Sequence, residues 1–130
     1  MDRNKLRVLI VDDSILKAMD IRKALEFNGI RDIQVVRNQE AVWEEIEKEE
    51  AAGGRIDLIV TDMHYPLHPG QEAEHDAGFI LLDELKRKGK EIPVIICSSI
   101  NYNEPAALGC VWYNKLTDMD FAFKEILRML

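Results

Sequence analysis

Asp12, Asp13 and Asp62 are the residues whose type and placement point most directly to chemistry. Asp12 and Asp13 follow the apolar run Leu6-Arg7-Val8-Leu9-Ile10-Val11, and Asp62 follows Leu58-Ile59-Val60-Thr61. Ser98 follows Val94-Ile95-Ile96-Cys97, and Lys115 comes soon after Val111-Trp112-Tyr113. Such runs read as strands buried on both faces. In an open parallel sheet the carboxyl ends of strands lie side by side, so distant residues converge on one crevice. Carboxylates gathered there repel and raise one another's pKa unless a cation joins them. Mg²⁺ suits the set, being satisfied by carboxylates, carbonyls and water. Lys115 could pair with Asp62 or with a transferred anion, and Ser98 could donate to the same anion. Metal, ammonium and hydroxyl together fit a phosphoryl group, and an aspartate can itself be its acceptor. No glycine-rich phosphate loop supports a nucleotide triphosphate. Each acid could also be a plain loop residue, and Asp13, beside Ser14, could cap a helix.

The elements that position these residues alternate. A strand at Leu6 to Val11 leads to a helical pattern from Ser14, with Ile15, Met19, Arg22 by its stem and Leu25 or Glu26 inward, and Asn28-Gly29 ends it. A short strand, Ile33 to Val36, precedes a helix from Gln39 to about Ala52, with Asn38 as cap and Val42, Ile46 and Trp43 as inward candidates. Its acidic run from Glu44 to Glu50 reads as a solvated face. After the central strand, Met63 to about Ala77 loses periodicity, a length that marks a functional or mobile loop. A helix resumes near Gly78 and closes at Gly89. Pro93 opens the fourth strand, and at most two helical turns from about Asn103 separate it from the fifth. Thr117 and Asp120 suggest a capping box for a last helix, Asp118 to Leu130, with Phe121, Ile126 and Leu127 inward. Met119, Phe123 and Trp43 fit a docking face or the core equally. Five strands and about five helices predict an α/β fold with a parallel sheet covered on both faces.

The 130 residues suit one domain with a real core. The net charge of -7 argues against broad contact with nucleic acid or an anionic membrane and favours a partner with positive surface. No apolar run approaches the roughly 18 residues of a membrane span. Cys97 and Cys110 read as free thiols, and without a secretory signal the expected compartment is the cytoplasm.

The chain resembles the receiver domain of two-component response regulators, of the chemotaxis type. The resemblance rests on Val11-Asp12-Asp13-Ser14, Thr61-Asp62-Met63 with Pro66, Pro93 to Ser99, and Gly109 followed by Trp112-Tyr113-Asn114-Lys115. It implies a doubly wound five-stranded parallel sheet of flavodoxin-like order 2-1-3-4-5, spanning residues 1–130 with no separate output domain. It implies that Asp62 accepts a phosphoryl group from a histidine kinase or histidine phosphotransfer protein, and that Mg²⁺ is held by Asp12, Asp13, Asp62 and the carbonyl of His64. Ser98 would be the hydroxyl that turns toward the phosphoryl group and Lys115 the family's lysine. Output would pass by contact to an unidentified downstream protein. The alternatives are a scaffold that keeps the fold without the chemistry, or a small Mg²⁺-dependent phosphatase with Asp62 as nucleophile.

Several features depart from the family pattern. Asp76-Ala77-Gly78 looks like the displaced end of the loop after the acceptor, pushed along by an insertion. The segment from Ser98 to Lys115 is compressed, Leu116 stands where proline is common, and Trp112 stands where the family often has a smaller switching aromatic. His64, His68 and His75 fall in the inserted loop. Loop composition explains them better than a soft metal site, although His64, next but one to the acceptor, could govern access of water or donor.

Overall fold

The computed structural model describes residues 2–130. A single 3-10 turn at Arg3–Lys5 leads into β1 (Arg7–Val11), α1 (Ile15–Phe27), β2 (Asp32–Val36), α2 (Gln39–Ala51) and β3 (Leu58–Thr61). A two-stranded insertion, β4 (Tyr65–Pro66) and β5 (Ala73–Glu74), precedes α3 (Ala77–Arg87), β6 (Val94–Ser98), β7 (Gly109–Trp112) and α4 (Met119–Leu127). The main sheet is parallel in the order β2-β1-β3-β6-β7. Leaving out the inserted hairpin, this is the expected order 2-1-3-4-5.

Alternating side chains of each strand serve two cores. Val8, Ile10, Leu58, Val60, Ile95, Cys97 and Val111 pack under α1 and α4. Leu9, Val11, Ile59 and Val94 pack under α2 and α3. Central strands buried on both faces explain the unbroken apolar runs, and each large side chain so buried contributes about 1.5–3 kcal/mol.

The helix registers correct two expectations. In α1 the buried stripe is Lys17, Ala18, Ile21, Ala24 and Leu25. Ile15 and Met19 lie outside it, 63% and 50% exposed. Hydrophobicity alone misplaces this face, because its first inward residue is a lysine with charged partners. In α4 Phe123 is fully buried and Phe121 is 56% exposed. The α4 cap is Asp118, whose Oδ1 accepts from the Phe121 amide at 3.1 Å. Thr117 instead donates to the Trp112 carbonyl at 2.6 Å, so the expected capping box does not form.

Two connections also differ from expectation. No helix forms between β6 and β7: residues 99–108 are extended and turned, with Ala107 N–H donating to the Glu104 carbonyl at 3.1 Å. The described residues therefore contain four α-helices rather than about five. Between Met63 and Ala77 the chain builds a hairpin with Tyr65 opposite Glu74 and Pro66 opposite Ala73. Elsewhere the local signals hold. Asn28 and Gly29 end α1, with Gly29 at φ +88°, and Asn38 caps α2 through Ala41 N–H at 2.8 Å.

Candidate functional site

Backbone ladders running one residue past the strands set the carboxylates. Asp12 N–H donates to the Val36 carbonyl and Asp62 N–H to the Val11 carbonyl, both at 3.0 Å. This places Asp12 and Asp62 side by side at the carboxyl edge of β1 and β3. Asp12 Oδ1 accepts from Ser14 N–H at 2.9 Å. Ser14 is the residue that caps α1, its Oγ accepting from Lys17 N–H at 3.3 Å. Asp13 is thereby free of the capping role, while Arg37 holds its backbone by donating to its carbonyl at 3.2 Å.

One carboxylate oxygen from each of Asp12, Asp13 and Asp62 lies within 4.8 Å of the others. It is the one cluster of possible metal ligands among the described residues, and the three histidines make no second one. Asp12 Oδ2 is fully buried and has no well-aligned hydrogen-bond donor. Burial pushes the Asp12 carboxyl above the ordinary carboxylate range, against the pull of nearby Lys17. Three carboxylates converging at one point, with Asp12 Oδ2 buried and without a well-aligned donor and Asp13 and Asp62 half-buried beside it, are what a divalent cation such as Mg²⁺ completes, so the residues fit that ion. A cleft of about 570 Å³ lies at the opposite end of the sheet around Arg55, Asp57, Lys90 and Leu130. It holds none of this chemistry.

The cation beside the carboxylates was missed in the sequence. Lys17 Nζ stands 2.8 Å from Asp62 Oδ1 and 3.0 Å from Asp12 Oδ2, with only 9% of its side chain exposed. Burial would lower its pKa, but Asp12 and Asp62 together outweigh burial and raise it above the ordinary lysine value. Lys115, expected in this crevice, is exposed and makes no ion pair among the described residues. A turn directs the chain there: Asn114 Oδ1 accepts from Leu116 N–H at 2.8 Å, and its amide donates to Thr117 Oγ1 at 2.9 Å. The missed signal was positional. Lys17 shares the helical spacing of Ile21, Ala24 and Leu25, one turn beyond the acid pair.

Ser98 is buried at the end of β6, its Oγ accepting from Ile100 N–H at 3.2 Å. Trp112 is 49% exposed, its indole donating to the Ser99 carbonyl at 3.0 Å. The insertion rejoins the site at Gly78, whose N–H donates to the Met63 carbonyl at 3.1 Å. The displaced Asp76-Ala77-Gly78 thus closes the loop onto the residues after Asp62. His64 and His75 stack with ring centroids 4.4 Å apart, and His64 Nδ1 is bonded to the His75 carbonyl. His68 points away to Glu40, at 3.1 Å.

The response regulator receiver domain profile matches residues 8–111. Among solved structures the chain is similar to the chemotaxis response regulator CheY4 of Vibrio cholerae (18% identity, TM-score 0.67, covering 96% of this chain and 98% of that one). It is also similar to a two-component response regulator from Cytophaga hutchinsonii (18%, TM-score 0.68, 94% and 96%). A third match is the receiver domain of a LuxO repressor protein from Vibrio parahaemolyticus (19%, TM-score 0.68, 95% and 88%). No curated protein sequence matches. No helix among the described residues is long and apolar enough to cross a membrane. With the family profile spanning most of the chain, and the carboxylate cluster standing at the matching strand ends, the chain belongs to the response regulator receiver domain family.

Proposed function

We propose that Asp62 is the residue that accepts the phosphoryl group in this receiver. The family's reaction is His-to-Asp phosphotransfer within a two-component system, from a histidine kinase or a phosphotransfer protein, and its members are phosphoacceptors of limited turnover. The observation that carries the choice of Asp62 is its place at the end of the central strand, with Asp12 and Asp13 oxygens within 4.8 Å. Asp62 Oδ1 accepts from Met63 N–H at 2.7 Å, which fixes the carboxylate and leaves Oδ2 as the attacking oxygen.

Asp12, Asp13 and Asp62, with the His64 carbonyl, are the proposed holders of Mg²⁺. When bound, Mg²⁺ supplies positive charge for the phosphoryl oxygens. Ser98 lies at the adjacent strand end, and its hydroxyl is the proposed donor to the transferred group. The hairpin from Tyr65 to Glu74 follows closely on Asp62 in the chain, and His64 at its base is the proposed control on access of water. Output by contact with a downstream protein and a cytoplasmic setting complete the reading, the latter supported by the free thiols of Cys97 and Cys110.

Borohydride reduction after treatment with an acyl phosphate tests the assignment. It converts an aspartyl phosphate to homoserine, and peptide mapping should find homoserine at position 62. Homoserine at position 12 or 13 would move the acceptor.

A further inference from the structure

We propose that Lys17, rather than Lys115, is the ammonium group of the acceptor site. The proposal rests on Asp62 being the acceptor. Lys17 enters from the first helix: its Nζ reaches Asp62 Oδ1 at 2.8 Å and Asp12 Oδ2 at 3.0 Å. A lysine buried to this degree needs partners that stay charged, and both carboxylates are present. The Tyr113 ring, just past the end of β7, lies over it, with its centroid 5.6 Å from Nζ. The Tyr113 hydroxyl donates in turn to Asp20 on α1, which ties that strand end to the helix carrying Lys17. Lys115 has no such fixing: it projects into solvent from the turn that Asn114 organises.

The two donors on Asp62 Oδ1, Lys17 and the Met63 amide, leave Oδ2 for the reaction. Oδ2 attacks phosphorus, the new O–P bond forms, and the bond from phosphorus to the donor oxygen of an acyl phosphate breaks. The donor leaves as a carboxylate with the electron pair, and no proton moves. Transfer replaces the Asp62 carboxylate charge by a phosphoryl dianion next to Lys17. The flexible stem of Lys17 lets its ammonium follow that charge, so one residue positions the nucleophile beforehand and pairs with the product afterwards.

The test is the rate of phosphoryl gain from acetyl phosphate with Mg²⁺, read by intact mass, for the wild type, Lys17→Met, Lys17→Arg and Lys115→Ala. Circular dichroism checks the fold of each. Lys115→Ala should stay within about twofold of wild type and Lys17→Met should fall by at least about tenfold, with partial rescue in Lys17→Arg. Rescue by a charged residue separates an electrostatic role from simple packing. A tenfold loss in Lys115→Ala overturns the proposal, as does a wild-type rate in folded Lys17→Met. If Lys17→Met does not fold, Lys115→Ala decides alone, a retained rate supporting the proposal. No gain in the wild type removes the acceptor assignment itself, a failure distinct from either variant result.

Discussion

A β-carbon on Gly78 would lie 2.9 Å from the carbonyl oxygen of Asp62 and 3.2 Å from Met63 Cα. The first turn of α3 therefore sits directly on the backbone of Asp62 and Met63. Backbone on both sides leaves little room to give, so Gly78→Ala is an overpacking change expected to cost about 1–3 kcal/mol. Urea denaturation should show that loss, and the phosphoryl gain should slow because the Asp62-Met63 peptide is displaced. Unchanged values of both would mean that α3 shifts freely.

Mg²⁺ should stabilise the fold through Asp12, Asp13 and Asp62. An ion bound only to the folded state at a hundred times its dissociation constant adds about 2.7 kcal/mol. A thermal melt should rise with added Mg²⁺ in the wild type and should lose that response in Asp13→Ala, whose side chain is only half-buried. A response that survives Asp13→Ala would exclude Asp13 from the metal site.

His64, next but one after Asp62 in the chain, stacks on His75. On the proposal that its ring limits the access of water to Asp62, His64→Ala should shorten the half-life of the phosphorylated protein. An unchanged half-life would deny His64 a part in controlling water access.

Stability should fall at alkaline pH. Burial pushes the Cys97 thiol from 9.0 up to about 12 and the Tyr65 hydroxyl from 10.0 up to about 12. Above about pH 9 the unfolded chain releases protons that the folded chain keeps, so unfolding is favoured progressively up to about pH 12. Lys17 acts in the same direction at higher pH. Its pairing contributes fully below the ordinary lysine value of 10.5 and is lost as pH rises through the higher folded value. The urea midpoint should drop between about pH 8 and pH 10.5, and by less in Cys97→Ala than in the wild type. A flat profile in the wild type would contradict this.

Phe123 and Phe121 show what the sequence could reveal and where it stopped. Phe123→Ala empties a fully buried position and should cost about 3–5 kcal/mol, whereas Phe121→Ala at the surface should stay within about 0.5 kcal/mol. From the sequence alone, helical spacing places Phe121 inward. Both residues fall in one apolar helix, and only the neighbours on α1 and the sheet select the face. The strands were legible because burial on both faces leaves unbroken apolar runs ending at Asp12, Asp62 and Ser98. Lys17 was not legible, since a charged residue on an inward stripe is explained only by carboxylates contributed from two strands. The inserted hairpin was equally hidden: Tyr65-Pro66 and Ala73-Glu74 are too short for periodicity to register.

The most direct measurement is intact mass after incubation with acetyl phosphate, with and without Mg²⁺, for the wild type and Asp62→Asn. The geometry of Asp12, Asp13, Lys17 and Asp62 predicts a gain of one phosphoryl group that requires Mg²⁺ and is absent in the variant. No gain in the folded wild type, or an equal gain in Asp62→Asn, would contradict the account.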